Sequence, residues 1–171
     1  MGVGKSSLTY RYINNKCPAK HDCTIEDMII NQAKIDDKLF KIEIVDTYKV
    51  DDYPQMLDMW INFGDGFLLV FAINDKNSFD LIPSKIECII KQKHDEAFPM
   101  ILIGNKQDLT NNREVSYDEA KKLADSWNME YIETSAQTNF NCDEAFENLA
   151  VKIYESRPKI KRSSFCPCSI Y

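Results

Sequence analysis

Two short segments carry side chains whose types and spacing suit phosphate and base chemistry. They are Gly2-Val3-Gly4-Lys5-Ser6 and Asn105-Lys106-Gln107-Asp108. The first matches the second half of Gly-x-x-x-x-Gly-Lys-[Ser/Thr], with Gly4 as its second glycine. A glycine at that position lets the backbone approach a phosphate, Lys5 supplies a point charge for the β- and γ-phosphates, and Ser6 offers a hydroxyl to Mg²⁺. In the second segment Asp108 can accept hydrogen bonds from both the N1–H and the exocyclic amine of guanine. Adenine lacks that donor pair, so a buried carboxylate there would reject it. Lys106 can lie over the base, and the Ala136 amide, next to Ser135, can reach guanine O6. Gly-Lys-Ser alone occurs in solvated loops, and Asn-Lys-x-Asp alone suits a surface turn. It is their order, with Glu133-Thr134-Ser135-Ala136 following, that points to a guanine nucleotide.

Positioning these residues requires strands and helices in alternation. Ser6 to Asn15 reads as a helix with Leu8, Tyr12 and Ile13 on one side, and polar Lys16 to Thr24 as a loop. Met28 to Ile35 and Leu39 to Val45 flank Asp36-Asp37 as an antiparallel hairpin. A loop from Asp46 to Pro54 leads into a short helix ending near Ile61. Gly66 to Ile73 (GFLLVFAI) is a continuous apolar run that suits a parallel strand buried on both faces. Ser78 to Lys93 has helical spacing, with Pro83 near its first turn. Met100 to Gly104 is another buried strand. Ser116-x-x-Glu119 forms a capping box for a helix to about Trp127. Glu130 to Thr134 is the last strand, and a helix from about Asn141 to Tyr154 carries Ala145, Phe146, Leu149 and Ile153 as a core stripe. Asn141-x-x-Glu144 resembles an N-terminal cap. The alternation predicts an α/β fold, a mostly parallel sheet with one antiparallel hairpin strand and helices on both faces. Ligands of such sheets bind outside the C-terminal strand ends, which puts Lys5, Asp46, Asn105 and Ser135 on one edge.

Composition narrows the partners. A chain of 171 residues with 28% charged and 44% hydrophobic residues has the makings of one globular domain. A formal net charge of −6 argues against nucleic acid as the main partner. No apolar stretch approaches the ~20 residues that span a bilayer, and the N-terminal residues do not read as a signal peptide. The six cysteines accordingly read as reduced thiols; Cys17, Cys23, Cys88 and Cys142 lack metal-site spacing, and Cys166 and Cys168 stand apart near the last residues.

Taken together, the chain resembles the Ras-like small GTPases from Met1 to Tyr171. The matching elements are Gly2-Val3-Gly4-Lys5-Ser6-Ser7-Leu8-Thr9, Thr24-Ile25-Glu26-Asp27, Asp46-Thr47, the GFLLVFAIN run, Gly104-Asn105-Lys106-Gln107-Asp108-Leu109 and Glu133-Thr134-Ser135-Ala136. The resemblance implies a P-loop NTPase fold and a GTP/GDP switch with Mg²⁺. Gly2, Val3, Gly4, Lys5, Ser6 and Ser7 would surround the phosphates. Ser6, Thr24 and Asp46 would hold Mg²⁺, and Thr24 would also sense the γ-phosphate. Asn105, Lys106, Asp108, Ser135 and Ala136 would select guanine. Thr24, Ile25, Glu26 and Asp27 would meet effector proteins, and a guanine-nucleotide exchange factor is a further implied partner of a monomeric protein. The family's first central strand precedes the phosphate loop and is absent from this chain, so a truncated start at Met1 is expected.

Switch II departs from the family. Where the pattern is Asp-x-x-Gly-Gln, this chain has Asp46-Thr47-Tyr48-Lys49-Val50, in a register held by Asp51-Asp52-Tyr53. Valine can neither donate to nor accept from an attacking water, and Lys49 resists positive φ. Met1 stands where a family glycine makes room for an arginine finger. Slow hydrolysis, with little help from GTPase-activating proteins, is therefore expected. Cys17 replaces an aromatic on the guanine edge, His21 a switch I tyrosine, and Gln137 a lysine. The alternative readings are an interaction protein that binds GTP, or nothing, without turnover, and a truncated chain with impaired nucleotide binding. A P-loop nucleotide kinase fits poorly, having no use for Asn-Lys-x-Asp.

The domain reading is a G domain over 1–156 and a flexible basic tail over 157–171. Its last residues, Cys168-Ser169-Ile170-Tyr171, fit C-a-a-X prenylation. Cys166 could take a second lipid, and Arg157, Lys159, Lys161 and Arg162 lie just upstream. A prenyl chain plus a basic patch meets the two-signal requirement for anchoring, which predicts residence on the cytoplasmic face of a membrane, the plasma membrane foremost.

Overall fold

The computed structural model describes residues 2–16, 28–35, 37–47, 54–93, 98–157 and 165–170. The helices are α1 (Lys5–Asn14), α2 (Pro54–Phe63), α3 (Lys76–Asp80), α4 (Ile82–Lys93), α5 (Tyr117–Ser126) and α6 (Cys142–Ser156). The strands are β1 (Met28–Ile35), β2 (Lys38–Asp46), β3 (Phe67–Ala72), β4 (Met100–Asn105), β5 (Glu130–Glu133) and β6 (Phe165–Ile170). They form one sheet in the order β1-β2-β6-β3-β4-β5, in which β1 and β2 pair antiparallel and every other pair is parallel. Asp37 turns the hairpin at φ 61°, a left-handed conformation that a short polar side chain tolerates.

Strand β3 shows why its apolar run is continuous. Leu68 and Val70 face a core shared with Leu8 and Tyr12 of α1 and with Phe146, Leu149 and Ile153 of α6. Phe67, Leu69 and Phe71 face a second core with Ile61 of α2, Phe79 of α3, and Ile82, Ile86 and Ile89 of α4. Alternate side chains thus point to opposite faces, and helices cover both. Each large side chain buried this way contributes roughly 1.5–3 kcal/mol. Strand β1 alternates exposed and half-buried positions, as suits an edge strand with one wet face.

Two local expectations need correction. The helix expected from Ser78 to Lys93 is two helices that meet at Leu81. Pro83 has no N–H for the carbonyl of Phe79, and its ring crowds that carbonyl, so the helix ends and restarts there. Asp75 caps α3, its Oδ1 accepting from the Ser78 N–H at 3.2 Å. Asn141 does precede α6, but it sits at φ 51° and makes no side-chain cap; its amide donates instead to the Glu133 carbonyl at 3.0 Å. The Ser116 cap does form, with Oγ accepting from the Glu119 N–H at 3.2 Å.

Phe165–Ile170 form a strand between β2 and β3. Arg157, counted with the basic tail, is paired with Asp65 at the foot of β3. A short 3₁₀ helix over Gln107–Asn112 follows β4 and was not expected.

Candidate nucleotide-binding site

The loop at 2–4 feeds directly into α1. Gly4 stands at the N-cap with φ 94°, a conformation strained for any other residue. A Cβ there would lie 2.3 Å from Asn105 Nδ2, so the space itself requires glycine. Lys5 and Ser6, half-buried, occupy the first turn of α1, where free N–H groups and the helix dipole favour an anion.

Asn105 ends β4 and connects this loop to the rest of the site. It is 2% exposed; its Nδ2 donates to the Val3 carbonyl at 2.8 Å, and its Oδ1 accepts from Thr134 Oγ1 at 3.3 Å. The Gln107 N–H donates to the Thr134 carbonyl at 3.0 Å. Lys106 between them takes φ 65°, an uncommon backbone state that these flanking hydrogen bonds hold in place. Asp108 is exposed, and its Oδ1 accepts from Ser135 Oγ at 2.5 Å. Ser135 Oγ in turn accepts from the Thr138 N–H at 3.1 Å. The Asp108 carboxylate is thereby oriented by a buried hydroxyl while staying open to a ligand.

Two arginines outside the motifs hold the loop after β5. Arg11 on α1, 9% exposed, donates from Nε to the Ala136 carbonyl at 2.7 Å and from Nη2 to the Gln137 carbonyl at 2.9 Å. Arg113 makes a bidentate pair with Glu133, at 2.7 and 2.9 Å, and this pairing raises the Arg113 pKa further above its ordinary value. Tyr131 also donates to Glu133, at 2.9 Å; burial, then the Glu133 charge, raises its phenol, so it stays a donor at neutral pH. Neither arginine was singled out from the sequence. Their partners lie far along the chain or on a neighbouring strand end, and no local pattern marks them.

Asp46 ends β2, 3% exposed, with Thr47 buried next to it. The Ser6 hydroxyl and the Asp46 carboxylate are the hard oxygen donors that Mg²⁺ takes, and the first turn of α1 suits an anion. The structure thus brings together Val3, Gly4, Asn105, Lys106, Asp108, Ser135 and Ala136 through hydrogen bonds and packing. Thr24, Ile25, Glu26 and Asp27, as well as Cys17, His21, Lys49 and Val50, lie outside the described residues. Cys166 and Cys168 lie in β6, where Cys168 is in register with Ile44 of β2.

A sheet whose phosphate loop is hydrogen-bonded to an Asn-Lys-x-Asp turn defines a class, the P-loop small GTPases. A family model described as the Ras family matches residues 1–155. Ras-like protein RAS2 of Hydra vulgaris is 44% identical over 148 residues, covering 86% of this chain and 77% of that protein. Ras-like protein 2 of Drosophila melanogaster is 40% identical over the same shares. Ras-related protein R-Ras of Mus musculus is 38% identical over 178 residues, covering 98% of this chain and 81% of its own length. The chain belongs to the Ras family of small GTPases, which as a class bind GTP and GDP with Mg²⁺ and hydrolyse GTP. No helix among the described residues is long and apolar enough to cross a membrane.

Proposed function

We propose that this chain is a membrane-anchored Ras-type switch that binds guanine nucleotides normally and hydrolyses GTP slowly. The observation that supports the first part most is the Asn105 side chain donating to the Val3 carbonyl, which joins the base-reading turn to the phosphate loop. In this reading Asp108 accepts from guanine N1–H and its amine, with Ser135 holding the carboxylate in place. Lys106 covers the base and the Ala136 amide faces O6. Gly2, Val3, Gly4, Lys5, Ser6 and Ser7 surround the phosphates, with Lys5 as the cation among them. Ser6 and Asp46, with Thr24, would hold Mg²⁺, which would supply positive charge to offset that of the phosphates.

Slow hydrolysis rests on Lys49 and Val50. Val50 cannot orient a water, and Lys49 replaces the residue type whose backbone most easily turns toward the γ-phosphate. Turnover below the ~3–5 × 10⁻⁴ s⁻¹ given for Ras itself is expected, with little acceleration by a GTPase-activating protein. Thr24, Ile25, Glu26 and Asp27 present the GTP state to effectors, and an exchange factor reloads the site. Cys168, with Cys166 and the basic residues before them, carries the lipid that holds the monomer on the cytoplasmic face of a membrane, the plasma membrane foremost.

The test is to purify the chain, identify the nucleotide it carries, and follow one turnover of bound GTP. Cleavage at the rate of Ras itself, with full acceleration by an activating protein, would sink the slow-hydrolysis reading. The substitution at Lys49-Val50 also favours a second reading, an interaction protein that binds GTP and never turns it over. Retention of GTP with no phosphate release over many hours would select it.

A further inference from the structure

Arg11 is a buried arginine that no motif claims. It lies in the last turn of α1, the helix whose first turn carries Lys5 and Ser6. Its Nε donates to the Ala136 carbonyl at 2.7 Å and its Nη2 to the Gln137 carbonyl at 2.9 Å. Its Nη1 donates to the carbonyl of Asn15, the residue that caps the end of α1, at 3.3 Å. One planar guanidinium thus engages three carbonyls, and two of them are successive carbonyls of the loop after β5. Such a fork fixes direction as well as distance, which a lysine ammonium cannot do. The helix itself is seated by Tyr12, whose ring stacks on Phe146 of α6 with centroids 4.3 Å apart.

The loop that Arg11 grips begins at Ser135-Ala136. The peptide plane bearing the Ala136 N–H also bears the Ser135 carbonyl. That carbonyl accepts from the Phe140 N–H at 3.2 Å and from the Cys142 thiol at 3.2 Å. Both donors flank the start of α6. In a trans peptide the N–H points opposite to the C=O, so these bonds aim the Ala136 N–H away from that helix. The following peptide plane is held through the Ala136 carbonyl, and its holder is Arg11. Ala136 therefore sits between two planes that are each anchored by a hydrogen bond. Among the described residues no protein acceptor takes the Ala136 N–H itself, although the residue is buried. A buried donor kept in a fixed direction suits a ligand acceptor.

We propose that Arg11 is the positioning residue for the base. By holding the Ala136 and Gln137 carbonyls it keeps the Ala136 N–H aimed at guanine O6, and it ties that loop to the helix whose first turn faces the phosphates. This rests on reading the Ala136 amide as the O6 donor. Nε, Nη1 and Nη2 are all engaged with carbonyls, so Arg11 acts on the base through the loop. Its effect falls on how long the nucleotide is held, and not on how fast bound GTP is cleaved.

The experiment uses the full chain and follows release of radiolabelled GDP, IDP or 6-thio-GDP during a chase with excess unlabelled GDP. IDP keeps O6 and lacks the amine assigned to Asp108. 6-Thio-GDP carries sulfur, a weaker acceptor, in place of O6. Arg11→Ala should release GDP about tenfold faster, the scale of one hydrogen bond to the base. IDP should be speeded by the same factor. With 6-thio-GDP the factor should shrink to about two, because the contact that Arg11 aims is already weakened. Single-turnover cleavage of bound GTP should not change. An unchanged GDP release rate overturns the proposal. Equal speeding of all three nucleotides also overturns it, since a general loosening of the fold would do the same. Arg11→Lys keeps a long buried stem without the fork and should release GDP roughly threefold faster, with the same loss of effect on 6-thio-GDP. It decides the matter if the alanine variant does not fold. If the unaltered chain releases 6-thio-GDP no faster than GDP, the O6 reading falls and the proposal with it. If that chain does discriminate, and the Arg11 variants still speed all three alike, the reading stands and the role of Arg11 alone falls.

Discussion

The base-reading side of the site and the hydrolytic side diverge within one domain. On the base side, Asn105, Asp108, Thr134 and Ser135 keep the family's residue types and are joined by hydrogen bonds to one another and to the phosphate loop. On the hydrolytic side, two residues after the buried Asp46-Thr47 pair, Lys49 and Val50 replace the glycine and glutamine of the pattern. On the base side, side chains hold one another through the hydrogen bonds of Asn105, Thr134, Ser135 and Asp108. On the reading proposed above, the hydrolytic side would lack a water-orienting side chain at Val50, so that holding the nucleotide and cleaving it would be separable.

The sharpest way to break that contrast is at Asp108. Asp108→Ala should weaken GDP binding about 10²–10⁴-fold, since two hydrogen bonds to a charged acceptor are lost at ~1.5–3 kcal/mol each. Competition with a fluorescent GDP measures it, and an unchanged affinity would remove Asp108 from base recognition. Next comes the hydrolytic side. Lys49→Gly combined with Val50→Gln should raise single-turnover hydrolysis about 10–100-fold by restoring a positioned water, with GDP affinity unchanged. No gain would mean that the loss lies elsewhere in the loop.

Smaller effects sharpen the comparison from the supporting residues. Arg113→Ala leaves the largely buried Glu133 carboxylate without its bidentate partner. A loss of about 2 kcal/mol is expected, lowering the melting temperature by about 4–8 °C. Guanine affinity should fall with it, while cleavage of GTP already bound should not change. The smallest effect lies away from both sides, at Glu147. Burial, then neighbouring Asp143, raises its pKa above the ordinary 4.5. The folded chain then binds more protons than the unfolded chain as pH rises through and above 4.5, so stability falls across that window and levels off beyond the folded pKa. Glu147→Gln should raise the melting temperature slightly near neutral pH and leave it unchanged well below 4.5. An equal shift at both pH values would trace the effect to packing instead.

Much of the fold was legible because its signals are local. The eight-residue apolar run at Gly66 to Ile73 marks a strand buried on both faces, and Ser116-x-x-Glu119 marks a helix start. Pro83 was read as harmless in a first turn, and it does occupy the second position of α4; the missed break one turn earlier came from its effect on Phe79. Asn141 was misread because an asparagine that precedes a helix can also serve a distant carbonyl, and here Glu133 competes for its amide.

The sequence alone determined the residue types at the phosphate loop, the base-reading turn and the altered switch II, since these depend on identity and spacing along a few residues. Tertiary structure alone decided that Arg11 reaches the carbonyls of Ala136 and Gln137, more than a hundred residues away, and that Arg113 braces Glu133. It also decided the place of Phe165–Ile170. Nothing in that cysteine- and proline-containing stretch reads as a central strand. Its place between β2 and β3 is set by backbone pairing with strands distant in sequence, which no local pattern marks.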